Sequence, residues 1–246
     1  MKVVILLAGK GRRIQKTCGS MHKALIMLKD RTLLSYLIEN IKKAGITEIV
    51  PVLGYQGSAV LTEIQKYADD IQIFPTWNLE YENTNNLASL LKAEKVLAGE
   101  DFVLLNGDMV FDYRILTLMM DQRSAAIAVD RKEYPVQLDS PRVLIRNEIV
   151  KDLGRHISIQ QAEGYAVGIY YFSSILAEVF FEHSKKLIKS APQMGFHEPL
   201  RDLFAKYRIN PISVKDYCWM DVDEKADIIK AHEMIKKMFG EKYETF

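Results

Sequence analysis

Hydrophobic positions in the first half of this chain follow two alternating rhythms. Residues 3–7, 49–53 and 102–105 are short continuous apolar runs, most of them rich in Val and Ile, and 71–74 is a shorter one broken only by Gln72. Such runs are the mark of strands buried on both faces of a sheet. Between them lie stretches with apolar residues three or four apart, over 32–44 (closed by Gly45), 58–68 and 86–97. These predict amphipathic helices. Strand and helix in turn imply parallel βαβ units. After residue 124 the rhythm changes: 125–129, 142–145, 149–153 and 167–172 predict strands with no long helix between them, before helices resume at 174–188, 198–206 and about 224–238. The expected fold is α/β, a Rossmann-like, mostly parallel sheet flanked by helices, with a small antiparallel β excursion in the second half. With no Pro/Gly/Ser-rich linker, low-complexity segment or repeat, residues 1–246 read as one domain.

In sheets of this kind ligands gather outside the carboxyl ends of the strands. Gly9, Gly54 and Asp108 fall at such ends and should line one rim. The first strand runs into Ala8-Gly9-Lys10-Gly11-Arg12-Arg13, and between Gly9 and Lys29 there are seven Lys, Arg or His residues and no acid. Glycines at a strand end let backbone N–H groups approach an anion closely, and clustered cations supply the countercharge. The spacing is neither a Walker loop nor a dinucleotide fingerprint, which would need a glycine where Ile14 stands. A nucleoside triphosphate is the ligand this loop suits.

Composition narrows the field. A formal net charge of +1 makes the basic loop a local feature and argues against a dedicated nucleic-acid binder. Cys18 and Cys218 form neither a disulfide framework nor a zinc site, and the five histidines show no ligand spacing. With no apolar run of membrane-spanning length and no signal peptide in the short first strand, the expectation is a cytoplasmic protein without membrane attachment.

Five blocks then carry a resemblance. Leu6-Leu7-Ala8-Gly9-Lys10-Gly11-Arg12-Arg13 with Lys23-Ala24-Leu25 resembles the signature of nucleotidyltransferases that activate phosphorylated sugars and alcohols. Asn83-Thr84-Asn85-Asn86-Leu87-Ala88-Ser89-Leu90 resembles the loop-to-helix segment of their phosphocholine cytidylyltransferase-like branch. Leu104-Leu105-Asn106-Gly107-Asp108, Glu163 to Ile169 and Trp219 to Asp223 follow in the family's order, so that the likeness spans residues 3 to 230.

The resemblance implies a Mg²⁺-dependent transfer, from CTP or another NTP to a phosphorylated small molecule. It places Arg13 and Lys23 as catalytic, and Leu7, Ala8, Gly9, Gly11, Asn85 and Ser89 as nucleotide-binding. Asn86, Arg155, Glu163 and Asp221 would bind the acceptor, and Asp108 and Asp223 the metal. The nucleotide part would be about 1–124 and the acceptor part about 125–246. Homodimerisation is only the commonest default. Blander readings stay open for several residues. Asp108 could cap a turn, Asp223 could cap the last helix and one of the Asn-Thr-Asn-Asn run caps another. Arg155 and Glu163 could be surface charges, and Trp219 could be core or could face a quaternary ammonium. Three departures stand out. Leu7 replaces a small Ala near the base, Arg155 replaces a Lys, and His22 replaces a rigid Pro, which would leave the loop more mobile when empty.

Overall fold

The computed structural model describes residues 1–11, 13–14, 19–131 and 140–239. Arg12, Lys16 and Cys18 of the basic loop lie outside them. The strands are β1 (Lys2–Leu7), β2 (Met27–Leu28), β3 (Arg31–Thr32), β4 (Glu48–Leu53), β5 (Gln72–Ile73), β6 (Thr76–Trp77), β7 (Phe102–Asn106), β8 (Met109–Phe111), β9 (Ala126–Asp130), β10 (Arg142–Arg146), β11 (Ile149–Gly154), β12 (Gly164–Phe172), β13 (Asn210–Ser213) and β14 (Trp219–Asp221). The helices are α1 (Leu33–Lys43), α2 (Gly57–Gln65), α3 (Asn86–Lys92), α4 (Glu94–Leu97), α5 (Arg114–Met120), α6 (Ser174–Leu187), α7 (His197–Asp202) and α8 (Lys225–Phe239), with a single 3-10 turn at Lys23–Leu25.

The main sheet runs β11-β10-β12-β7-β1-β4-β5. Its centre is parallel, with β1 between β7 and β4. The antiparallel excursion begins where β12 pairs with β7 and β10. Alternation in β1 explains the layering. Val3, Ile5 and Leu7 pack with Leu34, Ile38 and Ile41 of α1, Val60 of α2 and Ile115 of α5, while Val4 faces Leu87, Leu90 and Phe180 of α3 and α6. Both faces are apolar because both are covered by helices. A smaller cluster seats α8, through Ala231 and Ile235, on Ile14, Leu28, Val110 and Val222.

Local signals set most boundaries. Thr32 accepts a hydrogen bond from the Ser35 amide at 3.0 Å and so caps α1. At the other end Gly45 takes φ +78° and closes it. The helix expected over 86–97 instead breaks at Ala93, where the chain tightens and its amide bonds Leu90 O. The 198–206 helix starts at His197 and is regular only to Asp202.

The short pair β8 and β14 decides where function can sit. Asp221 pairs with Met109 across it, and the Val222 amide donates to Asp108 O at 2.8 Å. This antiparallel clasp carries residues 221–223 from the far end of the chain to the rim where β7 ends. On the other side of β1 the rim is equally tight. A Cβ on Gly54 would stand 2.7 Å from Ala8 O and 2.9 Å from Ala8 Cβ. Gly54→Ala should therefore cost about 2 kcal/mol of overpacking, lowering Tm by roughly 4–8 °C in a chain of this size. An unchanged melting curve would show that the ends of β1 and β4 are not locked together.

Candidate functional site

Past the end of β1 the backbone turns at Gly11, whose φ of +62° is a conformation natural to glycine. Gly11 O accepts from the Ile14 amide at 3.1 Å, and Ile14 is buried in the cluster beneath α8. The turn is thus anchored from below, and the Arg13 guanidinium reaches Asp223 at 2.8 Å.

The far end of the basic loop is held by His22. Its Nε2 donates to Leu7 O at 3.0 Å, while its Nδ1 accepts from the Ala24 amide at 3.1 Å. Those two bonds define the neutral Nε2–H tautomer. Gln56 adds a third tie, its Oε1 accepting from the His22 amide at 2.7 Å. His22, which stands where the resemblance expects a Pro, makes contacts of its own. His22 has φ −62°, the angle a proline would impose, and its ring fastens the segment to β1.

That fastening presents Lys23. Its side chain is only 8% exposed, and its ammonium lies 2.7 Å from Asp108 Oδ2 and 2.5 Å from Asp223 Oδ1. Burial alone would lower the lysine pKa, but the two carboxylates outweigh it and raise it, so the charge stays on. Asp223 does not cap α8. Asp227 takes that task, its Oδ2 accepting from the amides of Asp223 and Glu224 at 3.0 and 2.9 Å. Asp221 is half-buried beside the pair with its Oδ1 out of solvent, and desolvation together with Asp108 pushes its carboxyl well above the usual range.

Three cavities meet at Asp108. One of about 270 Å³ is bounded by Leu7, Gly9, Gly11, Arg13, His22, Lys23 and Asp223. A second of about 270 Å³ lies between Ala8, Gly9, Tyr81, Asn85, Asn86 and Ser89. The third, about 890 Å³, extends past Asn86, Asp221 and Asp223 to Arg155, His156, His197 and Arg201. Of the catalytic, nucleotide, acceptor and metal residues that the resemblance implies, all but Glu163 border one of these spaces, whereas Gly54, expected on the same rim, borders none of the three. Glu163 instead pairs with Arg146 on the outer excursion, away from all three. Leu7 borders the first with its side chain packed in the core, so its bulk does not reach the second. Trp219 is core, its Nε1 donating to Asp130 at 2.7 Å.

Asn78 carried no sequence signal, while Lys10, Asn85 and Asn86, already singled out, make contacts that the sequence did not display. Asn78 is buried and donates to both Thr84 Oγ1 and Ser89 Oγ at 3.0 Å, fixing the wall of the second cavity. Lys10 pairs with Glu82 and lies 5.7 and 5.9 Å from the ring centres of Tyr55 and Tyr81. Asn85 caps α3 through the Asn86 amide and donates to Gln193 O at 3.1 Å. Asn86 Oδ1 accepts from the Phe196 amide at 3.0 Å, joining α3 to the start of α7. His197 could have been suspected only from its place before Glu198-Pro199 at a helix start.

The buried Lys23 ammonium and the two carboxylates that converge on it stand at the rim of the parallel sheet, where three cavities meet. Residues 3–207 match the MobA-like NTP transferase domain, and the chain belongs to that family. It is 26% identical to the CTP:phosphoglutamine cytidylyltransferase of Campylobacter jejuni, over 93% of this chain and 98% of that one. It is 31% identical to the mannose-1-phosphate guanyltransferase of Debaryomyces hansenii over 93% of this chain, which spans 63% of that protein. The fold is shared with the inositol-1-phosphate CTP transferase from T. maritima, with a TM-score of 0.79 at 18% identity over 96% of each chain. Among the described residues no helix is long and apolar enough to cross a membrane.

The His22 geometry carries a pH dependence. Burial holds the imidazole below its ordinary value of 6.5, against the opposing pull of Leu7 O and Asp108. The unfolded chain therefore takes up a proton first, and stability is lost as pH falls through about 6.5. Tm should drop between about pH 8 and pH 5.5, and His22→Gln should flatten part of that slope. The half-buried imidazole of His197, held at about 3 by desolvation, accounts for a further part. An identical slope in the variant would show that His22 is not neutral in the fold.

Proposed function

We propose that this chain is a nucleotidyltransferase. It would join the nucleoside monophosphate part of an NTP, CTP by preference, to a phosphorylated sugar or alcohol and release pyrophosphate. One observation carries the reading: the Lys23 ammonium bracketed by Asp108 and Asp223 at 2.7 and 2.5 Å, where three cavities meet. CTP is favoured by the Asn83 to Leu90 block and by the cytidylyltransferase of C. jejuni. GTP with a sugar 1-phosphate is the second reading, favoured by the likeness to the D. hansenii guanyltransferase.

The chemistry asks for no covalent intermediate. The acceptor phosphate, with a second pKa near 6, is largely a dianion at neutral pH. Its oxygen forms a bond to the α-phosphorus. The bond from that phosphorus to the bridging oxygen breaks, and its electron pair leaves with pyrophosphate. Repulsion between two anions is the obstacle. Lys23, buried and charged, offsets it at the α-phosphate. Arg13 and the backbone N–H groups around Gly9 and Gly11 hold the departing phosphates. Ala8, Gly9, Asn85 and Ser89 enclose the nucleoside, and Asn86, Arg155 and Asp221 border the acceptor.

Asp108 and Asp223 fit a Mg²⁺ ion. They are hard oxygen donors that already converge on one cationic group, and Mg²⁺ is commonly held by one or two carboxylates with substrate phosphates completing its shell. Among the described residues no larger cluster of His, Cys, Asp and Glu is disposed to hold a metal. When bound, the ion would supply further positive charge between the two anions. The nucleotide would rest on about 1–124 and the acceptor mainly on about 125–246, with Asn86 and Asp223 each serving across that division. Free nucleotide and phosphorylated metabolites make the cytoplasm the compartment this reaction requires.

Pyrophosphate release with Mg²⁺, each of four NTPs and a panel of phosphorylated acceptors tests the reading. Lys23→Ala should lower kcat/KM at least about 10²-fold, the scale of one such electrostatic contact, with its circular dichroism spectrum unchanged. Transfer should invert configuration at phosphorus. Retention would refute direct attack, and normal turnover in Lys23→Ala would remove lysine from the chemistry. Asp108→Asn should abolish metal-dependent turnover while the chain still folds.

A further inference from the structure

Among the described residues, Lys29, Gln56, Asn147 and Glu148 are the non-glycine residues with a left-handed φ. Lys29, Asn147 and Glu148 occupy the two-residue turns of the β2–β3 and β10–β11 hairpins, where that angle is ordinary. Gln56 occupies no hairpin. It joins β4 to α2 with φ +45° and ψ +30°, although Gly54 and Gly57 stand close by on either side. A left-handed backbone is unfavourable for a residue with a Cβ and persists only where its surroundings over-determine it. Such residues gather at working sites.

What surrounds Gln56 is the basic loop, held at both ends. At the start of the loop, the Tyr55 amide donates to Ala8 O at 3.0 Å, and the Lys10 ammonium lies 5.7 Å from the centre of the Tyr55 ring. At its far end, Gln56 Nε2 donates to Ser20 O at 2.8 Å while Oε1 accepts from the His22 amide at 2.7 Å. The Tyr55 hydroxyl donates to the same Ser20 carbonyl at 2.5 Å, and its ring stacks on the His22 imidazole with centroids 6.3 Å apart. Two consecutive residues thus gather Ala8 and Lys10 from one side of the loop and Ser20 and His22 from the other. An amide is the side chain that meets this pair of partners, with its nitrogen on a carbonyl and its oxygen on an N–H.

Neither Tyr55 nor Gln56 borders any of the three cavities. Any effect they have on a ligand there passes through the loop. Fixing both ends of a loop removes conformational freedom that binding would otherwise have to remove, and this preorganisation strengthens binding without adding a contact.

Resting on the nucleotidyltransferase reading, we propose that Tyr55 and Gln56 are positioning residues for the triphosphate. They hold the ends of the basic loop at a fixed spacing, so that the amides around Gly9 and Gly11 and the Lys23 ammonium stand ready before the nucleotide arrives. The unfavourable backbone at Gln56 is kept because it places one amide between Ser20 and His22. The acceptor, on the far side of Asp108, is outside their reach.

The test measures Mg²⁺-dependent pyrophosphate release with the NTP and acceptor that the parent chain turns over, and NTP binding by calorimetry without acceptor. Gln56→Glu keeps the length of the side chain and the acceptor for the His22 amide, but sets an oxygen against Ser20 O. It should raise the NTP KM and Kd roughly tenfold, the scale of one hydrogen bond, with the acceptor KM and circular dichroism unchanged. Gln56→Asn tolerates the left-handed angle but is one methylene shorter, and should weaken the NTP similarly. Ser20→Ala leaves the carbonyl in place and should match the parent. Tyr55→Phe removes only a hydroxyl and should raise the NTP KM about threefold, which reads the same tie even if the Gln56 variants fail to fold. An unchanged NTP KM in the folded variants overturns the proposal, as does an equal rise in both KM values, and either leaves the nucleotidyltransferase reading standing. Silence of the parent with every nucleotide and acceptor overturns both.

Discussion

The site depends on a buried ammonium that two distant acids hold in common. Lys23 follows the basic loop, Asp108 ends the turn after β7, and Asp223 enters α8, yet their charged atoms meet within 2.7 Å. Removing an ammonium from water is unfavourable unless its charge is matched, and two carboxylates match it here. Each carboxylate in turn is held near its twin by the lysine between them. The backbone makes this possible through two short strands, β8 and β14, and one further bond from Val222 to Asp108. Asp227 completes the arrangement by capping α8, which leaves the Asp223 carboxylate to Lys23 and Arg13.

A second constraint joins the two halves of the cleft. Asn85 and Asn86 begin α3 beside the cavity behind Gly9, but their side-chain amides bond to Gln193 O and the Phe196 amide just before α7. The Asn-rich run is thus both a helix cap and a suture. This accounts for two of the four polar residues in the run, and Thr84 is used by Asn78 and Glu80 O. It also means that the wall bearing His197 is registered against the same helix that borders the smaller cavities.

Much of this was legible in the sequence where a local pattern sufficed. The continuous apolar runs of β1, β4 and β7 and the capped, glycine-closed α1 are decided by residues close together along the chain. The clasp was not, because three residues are too few to display a period of two. Pro211 likewise disguised β13, which tolerates it because that strand pairs only with β9 and lies at an edge. Within the site, the strand-end loop and Asp108 announced themselves. His22, Gln56 and Asn78 did not, since each acts through a bond to a segment dozens of residues away or through burial that composition cannot reveal. Glu163 illustrates the converse: it stood in a matching block, yet its carboxylate points to Arg146 on the outer sheet. Trp219 shows how burial closes an open alternative, because its ring is spent on the core and on Asp130.

The pairing of β8 with β14 has a consequence for the order in which the protein becomes competent. Synthesis delivers the phosphate loop and Lys23 first, and Asp108 well before the final acids. Chains fold largely as they emerge from the ribosome, amino-terminal parts first. A chain lacking residues 219–223 would display a cation-rich pocket with only one of its two carboxylates. Until β14 pairs with β8, the Lys23 ammonium lacks one of the two carboxylates that match its charge, so the order of strand pairing is also the order in which the charges of this rim come into balance.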